Sequence, residues 1–425
     1  MQTIKGTYDA FGDNLKKIIF LENSARSFFS SFDFQEVRTP IIEYQEVFIK
    51  SLGDVSDIVM HQLYSFKDKD DSLVVLRPEG TAPAVRFYIK NLQYSEPRAK
   101  VFYIGPMFRR EKPQKGRYRQ FHQIGCEIFG FDSPESDAYL IYLASKFLDS
   151  LNIEYIISIN SVGCRICRPK YSEKIRQYTE NKDLCPDCIR RRKENPLRIL
   201  DCKVDSEKLQ DIPLINDFWC EKCREKFEQV CKYLSDFSLK FRHEPKLVRG
   251  LDYYTGLVFE FFHPSDQKSA ILAGGRYDYL VEFMGGNPTP ACGFAIGVER
   301  VSNYIQNLTQ TQRQGVFISY LQDAKDFAFL VFKTMNEIRN KPIGNQFKIQ
   351  PYYREFINSI RDRIDINLEP FKGFKAQLRY ADGRLYKFVV ILGKDEVTGE
   401  FLSVKNLDGS EQFKIPLKEL ISLLS

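Results

Sequence analysis

Apolar residues recur every three or four positions from Leu15 to Phe32 ("LKKIIFLENSARSFFSSF"), which predicts an amphipathic helix with one buried stripe. "FQEVRTPIIEY" follows, where Pro40 excludes Thr39 from the helical region and keeps the chain extended. Beyond it the period shortens. "SLVVLRPEGT", "KVFYIGPMF", "FHQIGCEIFG" and "YIISINSVG" are short apolar runs bounded by glycine, proline and charge, the pattern of antiparallel strands. A helix interrupts them from Glu135 to Ser150. Strand patterning resumes in "KLVRGLDYYTGLVFEFF", "SAILAGGRYDYL" and "ACGFAIGVERV". Polar "NLTQTQRQG", Asn307 to Gly315, reads as a linker. After it come a strand, a helix, a polar-aromatic piece, "KFVVILG" and "EQFKIPLKELISLL", the order of a small α/β domain.

Composition breaks this pattern once. From about Cys164 to Leu239 the chain holds most of its cysteines and the basic run "IRRRK", so it reads as an insertion. The expected organisation is therefore an α+β core over 1–163 and 241–310, a Cys-rich insertion over 164–240, and a C-terminal domain over 315–425. A length of 425 residues fits two or three domains. Hydrophobic residues at 43% and charged ones at 28% describe an ordinary soluble globular protein, and no stretch approaches a membrane span. The first residues lack a cationic segment followed by an apolar one, so the expected location is the cytoplasm. A net charge of +6 is compatible with a polyanionic partner without demanding one. Ten cysteines without an export signal point to free thiols or metal rather than disulfides.

The chemistry concentrates in a hairpin. In "RQFHQIGCEIF" side chains alternate, which sets Gln123, Gly125 and Glu127 on one face and His122, Ile124, Cys126 and Ile128 on the other. The second is a core face apart from His122. The first, an amide, a bare glycine and a carboxylate, makes a pocket floor, with Gly125 leaving room for a small molecule. The competing reading is a solvent-exposed face. Arg109 and Arg110 end the partner strand, and alternation turns one of them toward the polar row with a bidentate fork for phosphate or carboxylate. "RPEGT" adds Glu79 and Thr81, acceptors suited to an ammonium; "LVRGLDYYTG" adds Arg249, Tyr253 and Tyr254; "GFAIGVER" adds Arg300. There is no GxxxxGK[ST] and no strand followed by GxGxxG, so any ATP would be held by arginines.

Cys164-x2-Cys167 and Cys185-x2-Cys188 have the spacing of a four-thiolate zinc site, with Cys202, Cys220 and Cys223 as alternative ligands. One tetrahedral ion takes four of these seven, and spacing leaves the choice open. Reduced, metal-free cysteines are the alternative. The run from Arg190 to Lys193 suits phosphates or a solvated face. His61, His122, His243 and His263 form no catalytic set.

These motifs together resemble the class II aminoacyl-tRNA synthetases. "FQEVRTPIIE", "FRREKPQKGRYRQFHQIGCEIFG" and "ACGFAIGVERV" are similar to the three motifs of that class, and "LVRGLDYYTGLVFEF" with "AILAGGRYDYL" to the two segments of its histidyl-tRNA synthetase family. "QLRYAD" and "KFVVILGKDE" resemble that family's anticodon-binding domain. The resemblance implies an antiparallel catalytic sheet flanked by helices. It also implies a homodimer meeting at the first motif, with L-histidine, ATP with Mg2+, and tRNA(His) as substrates. By the same resemblance Arg109 holds the α-phosphate and the histidine carboxylate, Arg249 the α-phosphate, and Arg300 the terminal phosphates. Glu79, Gly80, Thr81 and Gln123 surround the α-amino group, Glu127 and Tyr254 read the imidazole, and Tyr253 stands beside them; Tyr277 is a weaker candidate. The insertion would touch the acceptor arm of tRNA, and a zinc in it would be structural. Between Lys348 and Lys375 the sequence departs from the family pattern, so Tyr352 and Tyr353 are open to base stacking or core packing. The rival readings are a non-catalytic relative, the regulatory subunit of an ATP phosphoribosyltransferase, which lacks the anticodon-binding domain, and a sensor of uncharged tRNA.

Overall fold

The helical period at the start becomes a helix over Gly12–Ser31 that buries Ile18, Leu21, Ala25 and Phe29. Phe29 meets the rings of Phe102, Phe147 and Phe294, which fastens the helix to the main sheet. The structure is a computed structural model and describes residues 1–53, 58–112, 116–305, 313–340, 351–368, 373–409 and 411–424. Two units divide the chain, Met1–Gln306 and Asn307–Ser425, and the Cys-rich stretch falls within the first.

The first unit is built on eight strands: β1 (Gln35–Glu36), β2 (Ala99–Phe108), β3 (Gln120–Phe129), β4 (Ile156–Ser161), β5 (Phe241–His243), β6 (Leu257–His263), β7 (Asp266–Arg276) and β8 (Ala291–Gly297). Their order is β1-β2-β3-β8-β7-β6-β4-β5. The six central strands are antiparallel, and a short parallel strand closes each edge. Ser133 and Pro134 start the helix Pro134–Ser150, the serine accepting from Ser136 N and the proline sitting where no N–H is needed. The run "SLVVL" forms a strand as expected, but in a separate three-stranded sheet with Ile42–Tyr44 and Tyr64–Lys67. No helix among the described residues is long and apolar enough to cross a membrane.

The second unit carries a five-stranded sheet, ordered Ile364–Ile366, Val316–Tyr320, Phe388–Leu392, Phe401–Asn406 and Gln412–Pro416. Val316, Ile318 and Tyr320 bury on one face and Phe317 on the other, because the parallel central strand is covered on both sides. Tyr353 packs on Phe413 and donates to Lys414 O, so it belongs to this core. The side chain of Tyr352, residues 307–312 of the polar linker, and residues 348–350 and 369–372 lie outside the described residues.

Candidate active site

The floor of the site is one rung across five strands. Tyr103 pairs with Gly125, Gly125 with Ala295, Ala295 with Ala273, and Ala273 with Glu260. The Tyr103 ring covers Gly125, so the trough in the sheet lies over Ala295 and Ala273, beside Glu260. It opens a cavity of about 480 Å³ lined by Glu79, Thr81, Arg109, Gln123, Arg249, Tyr253, Tyr254, Glu260 and Arg300 among others. Arg109, Arg249 and Arg300 come from segments far apart in sequence and meet here; Arg117 and Lys268 add to the lining. Arg110 is not part of it; its backbone N–H donates to Gln62 O.

Each arginine is aimed by the backbone. Arg109 Nε donates to Pro78 O at 2.8 Å, and its guanidinium lies over the Phe121 ring. Arg300 donates from Nε to Gly116 O at 3.1 Å and from Nη1 to Ala270 O at 2.8 Å. Burial lowers the pKa of Arg300, and the charges of Arg117, Arg109 and Arg249 add to that. Guanidinium groups gathered this closely repel one another, so the cavity favours a polyanion. Burial works against the charge on Arg249 too, but the adjacent Glu260 outweighs it and holds the pKa above its ordinary value. Arg249 Nε, Gln123 Oε1 and the Tyr253 hydroxyl are buried without a hydrogen-bond partner. Such groups are costly unless a ligand satisfies them.

Glu79 is already employed. Its two oxygens accept from Thr81 N at 2.7 Å and Ala82 N at 2.8 Å, which caps the helix Thr81–Asn91. A carboxylate has further lone pairs, so it still presents acceptors to the cavity.

Two expectations need correction. Gly125 does not leave room for a ligand, because a Cβ there would lie 2.2 Å from Tyr103 Cζ; the tyrosine ring fills the gap. The same ring lies against Gly80, where a Cβ would be 2.0 Å away, and neither Gly80 nor Glu127 lines the cavity. Glu127 is fully buried, its carboxylate accepting from the Tyr103 hydroxyl at 3.1 Å and from the Tyr277 hydroxyl. It sits opposite Gly293, where any side chain would collide with it. Burial raises its pKa to about 8, against the pull of the Tyr277, Thr81 and Tyr103 hydrogen bonds and helped by the charge of Glu79.

That shift has a sign. A carboxyl whose folded pKa exceeds its unfolded value stabilises the native state most below 4.5 and loses that contribution as pH rises through about 8. The Tm of the wild type is therefore expected to fall relative to Glu127→Gln as pH climbs through this window. A constant difference between the two thermal unfolding curves would show that Glu127 does not titrate there.

The cysteines assemble differently from the first-named set. Cys164 and Cys167 do not meet Cys185 and Cys188. Instead Cys164, Cys167, Cys220 and Cys223 form one cluster, and Cys185, Cys188, Cys202 and Asp205 form another. The spacing Cys-x2-Cys was legible, but which pairs face each other is decided by how the helices Cys167–Thr179, Pro186–Glu194 and Glu221–Asp236 fold together. In the basic run, Arg191 reaches Arg198 O and Arg192 reaches Thr179 O, so these two hold backbone carbonyls within the insertion.

A family model described as histidyl-tRNA synthetase matches residues 6–301. The chain belongs to the histidyl-tRNA synthetase family. A second family model, described as an anticodon binding domain, matches residues 340–425. The Histidine–tRNA ligase of Thermodesulfovibrio yellowstonii is 41% identical over 430 residues, covering 99% of this chain and 97% of that protein. The one from Aquifex aeolicus is 39% identical over 428 residues, covering 99% of this chain and 100% of its own. Among solved structures, apo histidyl-tRNA synthetase of S. aureus superposes with a TM-score of 0.77 at 29% identity, covering 100% of this chain and 99% of that one.

Four residues at or near the sites of this family member escaped the sequence reading. Glu260 pairs with Arg249, and its signal was a lone carboxylate within the apolar run "LVFEFF". Glu299 accepts from His122 N and Tyr8 and contacts His122 Nδ1 at 2.9 Å, raising the pKa of that histidine through the hydrogen bond. Tyr103 lies in a strand that reads as core. Asp205 joins three cysteines, where a count of thiols alone could not find it.

Proposed function

We propose that this chain is a histidine–tRNA ligase, activating L-histidine with ATP and transferring it to the 3′ end of tRNA(His). The observation that carries the reading is the convergence of Arg109, Arg249 and Arg300 on one cavity together with Glu79, Gln123, Tyr253 and Tyr254. In the first step the histidine carboxylate attacks the α-phosphorus of ATP, the bond to the bridging oxygen breaks, and pyrophosphate leaves. The carboxylate is already ionised, so no general base is needed. Fixed guanidinium groups stabilise the charge that develops on the phosphoryl oxygens. Arg109 and Arg249 serve the α-phosphate, Arg109 also the histidine carboxylate, and Arg300 the terminal phosphates; Mg2+ arrives with ATP as part of the substrate. In the second step a ribose hydroxyl of tRNA attacks the acyl carbonyl and AMP leaves.

Glu79, Thr81 and the unpartnered Gln123 Oε1 offer acceptors to the α-ammonium of histidine. Tyr254 meets the imidazole. Glu127 joins only when the Tyr103 or Tyr277 hydroxyl yields its place to a ring N–H. Exposed Ile41, Ile42, Tyr44, Phe66 and Leu73 support a homodimer formed around the first motif. The reading places the protein in the cytoplasm, and a structural zinc on Cys164, Cys167, Cys220 and Cys223. The regulatory-subunit rival is disfavoured by the match to an anticodon-binding domain and by the three arginines.

Histidine-dependent exchange of pyrophosphate into ATP, run with each amino acid in turn, tests the proposal. Exchange with histidine alone is expected. Histidine binding without exchange would favour the non-catalytic rival.

A further inference from the structure

The insertion carries two nested knuckle pairs. Cys164-x2-Cys167 closes on Cys220-x2-Cys223, and within that interval Cys185-x2-Cys188 closes on Cys202-x2-Asp205, a carboxylate standing where the spacing would put a fourth thiol. Tetrahedral zinc–thiolate bonds of about 2.3 Å place neighbouring sulfurs about 3.8 Å apart, whereas a disulfide holds them at about 2.05 Å. In the inner cluster Cys185 Sγ and Cys202 Sγ are 3.8 Å apart, and Cys202 Sγ lies 3.8 Å from Asp205 Oδ2. The outer cluster has the same scale, 3.6 Å for Cys164 to Cys167 and 3.8 Å for Cys167 to Cys223. We propose that the inner cluster is a second metal site, binding one zinc ion through three thiolates and a carboxylate and bracing the loop that carries Arg249.

The surroundings fit an ion. Asp205 is 1% exposed, Cys188 0% and Cys202 7%, so a carboxylate and thiols are shut away together. A buried carboxylate among thiols is costly without a cation. Lys208 Nζ stands 3.8 Å from Asp205 Oδ1, the oxygen other than the one facing Cys202. Backbone N–H groups approach the ligand atoms, Asp205 N to Cys202 Sγ at 3.4 Å and Cys185 N to Asp205 Oδ2 at 2.9 Å, the supporting hydrogen bonds that orient metal ligands. The donor set, three thiolates and one carboxylate, suits Zn2+ rather than Mg2+, which takes oxygen ligands.

The site is wired to the active-site loop. Asp201 and Lys203, the two neighbours of Cys202, line the substrate cavity. The turn leading into Cys202, Pro196–Asp201, sends Arg198 Nη1 to Gly250 O at 2.5 Å, and Asn195 Nδ2 reaches Asp252 Oδ1 at 2.6 Å. Gly250 and Asp252 are the first and third residues after Arg249. An ion at Cys202 and Asp205 therefore fixes the end of a strut whose other end positions the catalytic arginine.

Metal content of the purified full-length protein tests this. Two zinc ions per chain are expected in the wild type and one in Cys202→Ser. Asp205→Asn, which keeps an acceptor for Cys185 N–H, is expected to release one of its two ions to a chromogenic chelator at least about tenfold faster than the wild type. Amide hydrogen exchange across residues 247–256 should quicken on loss of the inner ion and slow again when zinc is restored. One ion in the wild type, unchanged in Cys202→Ser, would overturn the site; unaltered exchange over 247–256 would overturn the bracing. Neither readout depends on ligase activity, so both stand apart from the functional proposal.

Discussion

An Arg249→Ala variant is expected to lose about a thousandfold or more in histidine-dependent pyrophosphate exchange, the scale of removing one oriented charge donor from a transition state. The loss has two parts. The guanidinium proposed to serve the α-phosphate is gone, and Glu260, which it neutralised, is left as a bare carboxylate lining the same cavity. A negative charge then meets the triphosphate where a cation stood. Adding Glu260→Gln to Arg249→Ala removes the repulsion without supplying the missing cation, so it should recover stability and ATP binding more than rate. Single-turnover formation of the adenylate separates these, and a normal rate in Arg249→Ala would remove the arginine from the mechanism.

Arg276→Ala is expected to destabilise the first unit by about 3–5 kcal/mol, the range for breaking a buried ion pair from one side. Arg276 is 2% exposed and binds Asp137 from Nε at 2.8 and 3.1 Å, with Nη2 on Ser136 Oγ at 2.8 Å and Nη1 on Phe131 O and Asp278. Removing it strands Asp137, itself 3% exposed, in the first turn of the helix Pro134–Ser150. Denaturant unfolding should show the loss as a lower midpoint. A shift under about 1 kcal/mol would mean that water reaches Asp137 and replaces the arginine. The residue belongs to "AGGRYDYL", within one of the two segments similar to those of the histidyl-tRNA synthetase family, and its arginine joins a strand to a helix.

Much of the site could be read in one dimension because its chemistry and its strand period coincide. Gln123 and Arg109 line the cavity as alternation and strand ends suggested, and the hairpin pairs over its whole length. Other features were invisible because they depend on what lies across the sheet. Gly125 looks like space in a strand, and only its partner Tyr103 shows that the space is filled. Glu127 looks like a wall of the pocket, and only the two tyrosine hydroxyls show that it lies behind one. Sequence by itself carried the motifs through which the family resemblance was seen, and it determined the strands of the main sheet and the helices beside them, since residue type and local period fix these elements. The tertiary structure alone decided which cysteines face each other, that Glu260 and Asp205 complete their respective clusters, and how Glu127 is shielded. Those depend on contacts such as Arg249–Glu260, 11 positions apart, and Glu127–Tyr277, 150 apart, and no local spacing encodes them.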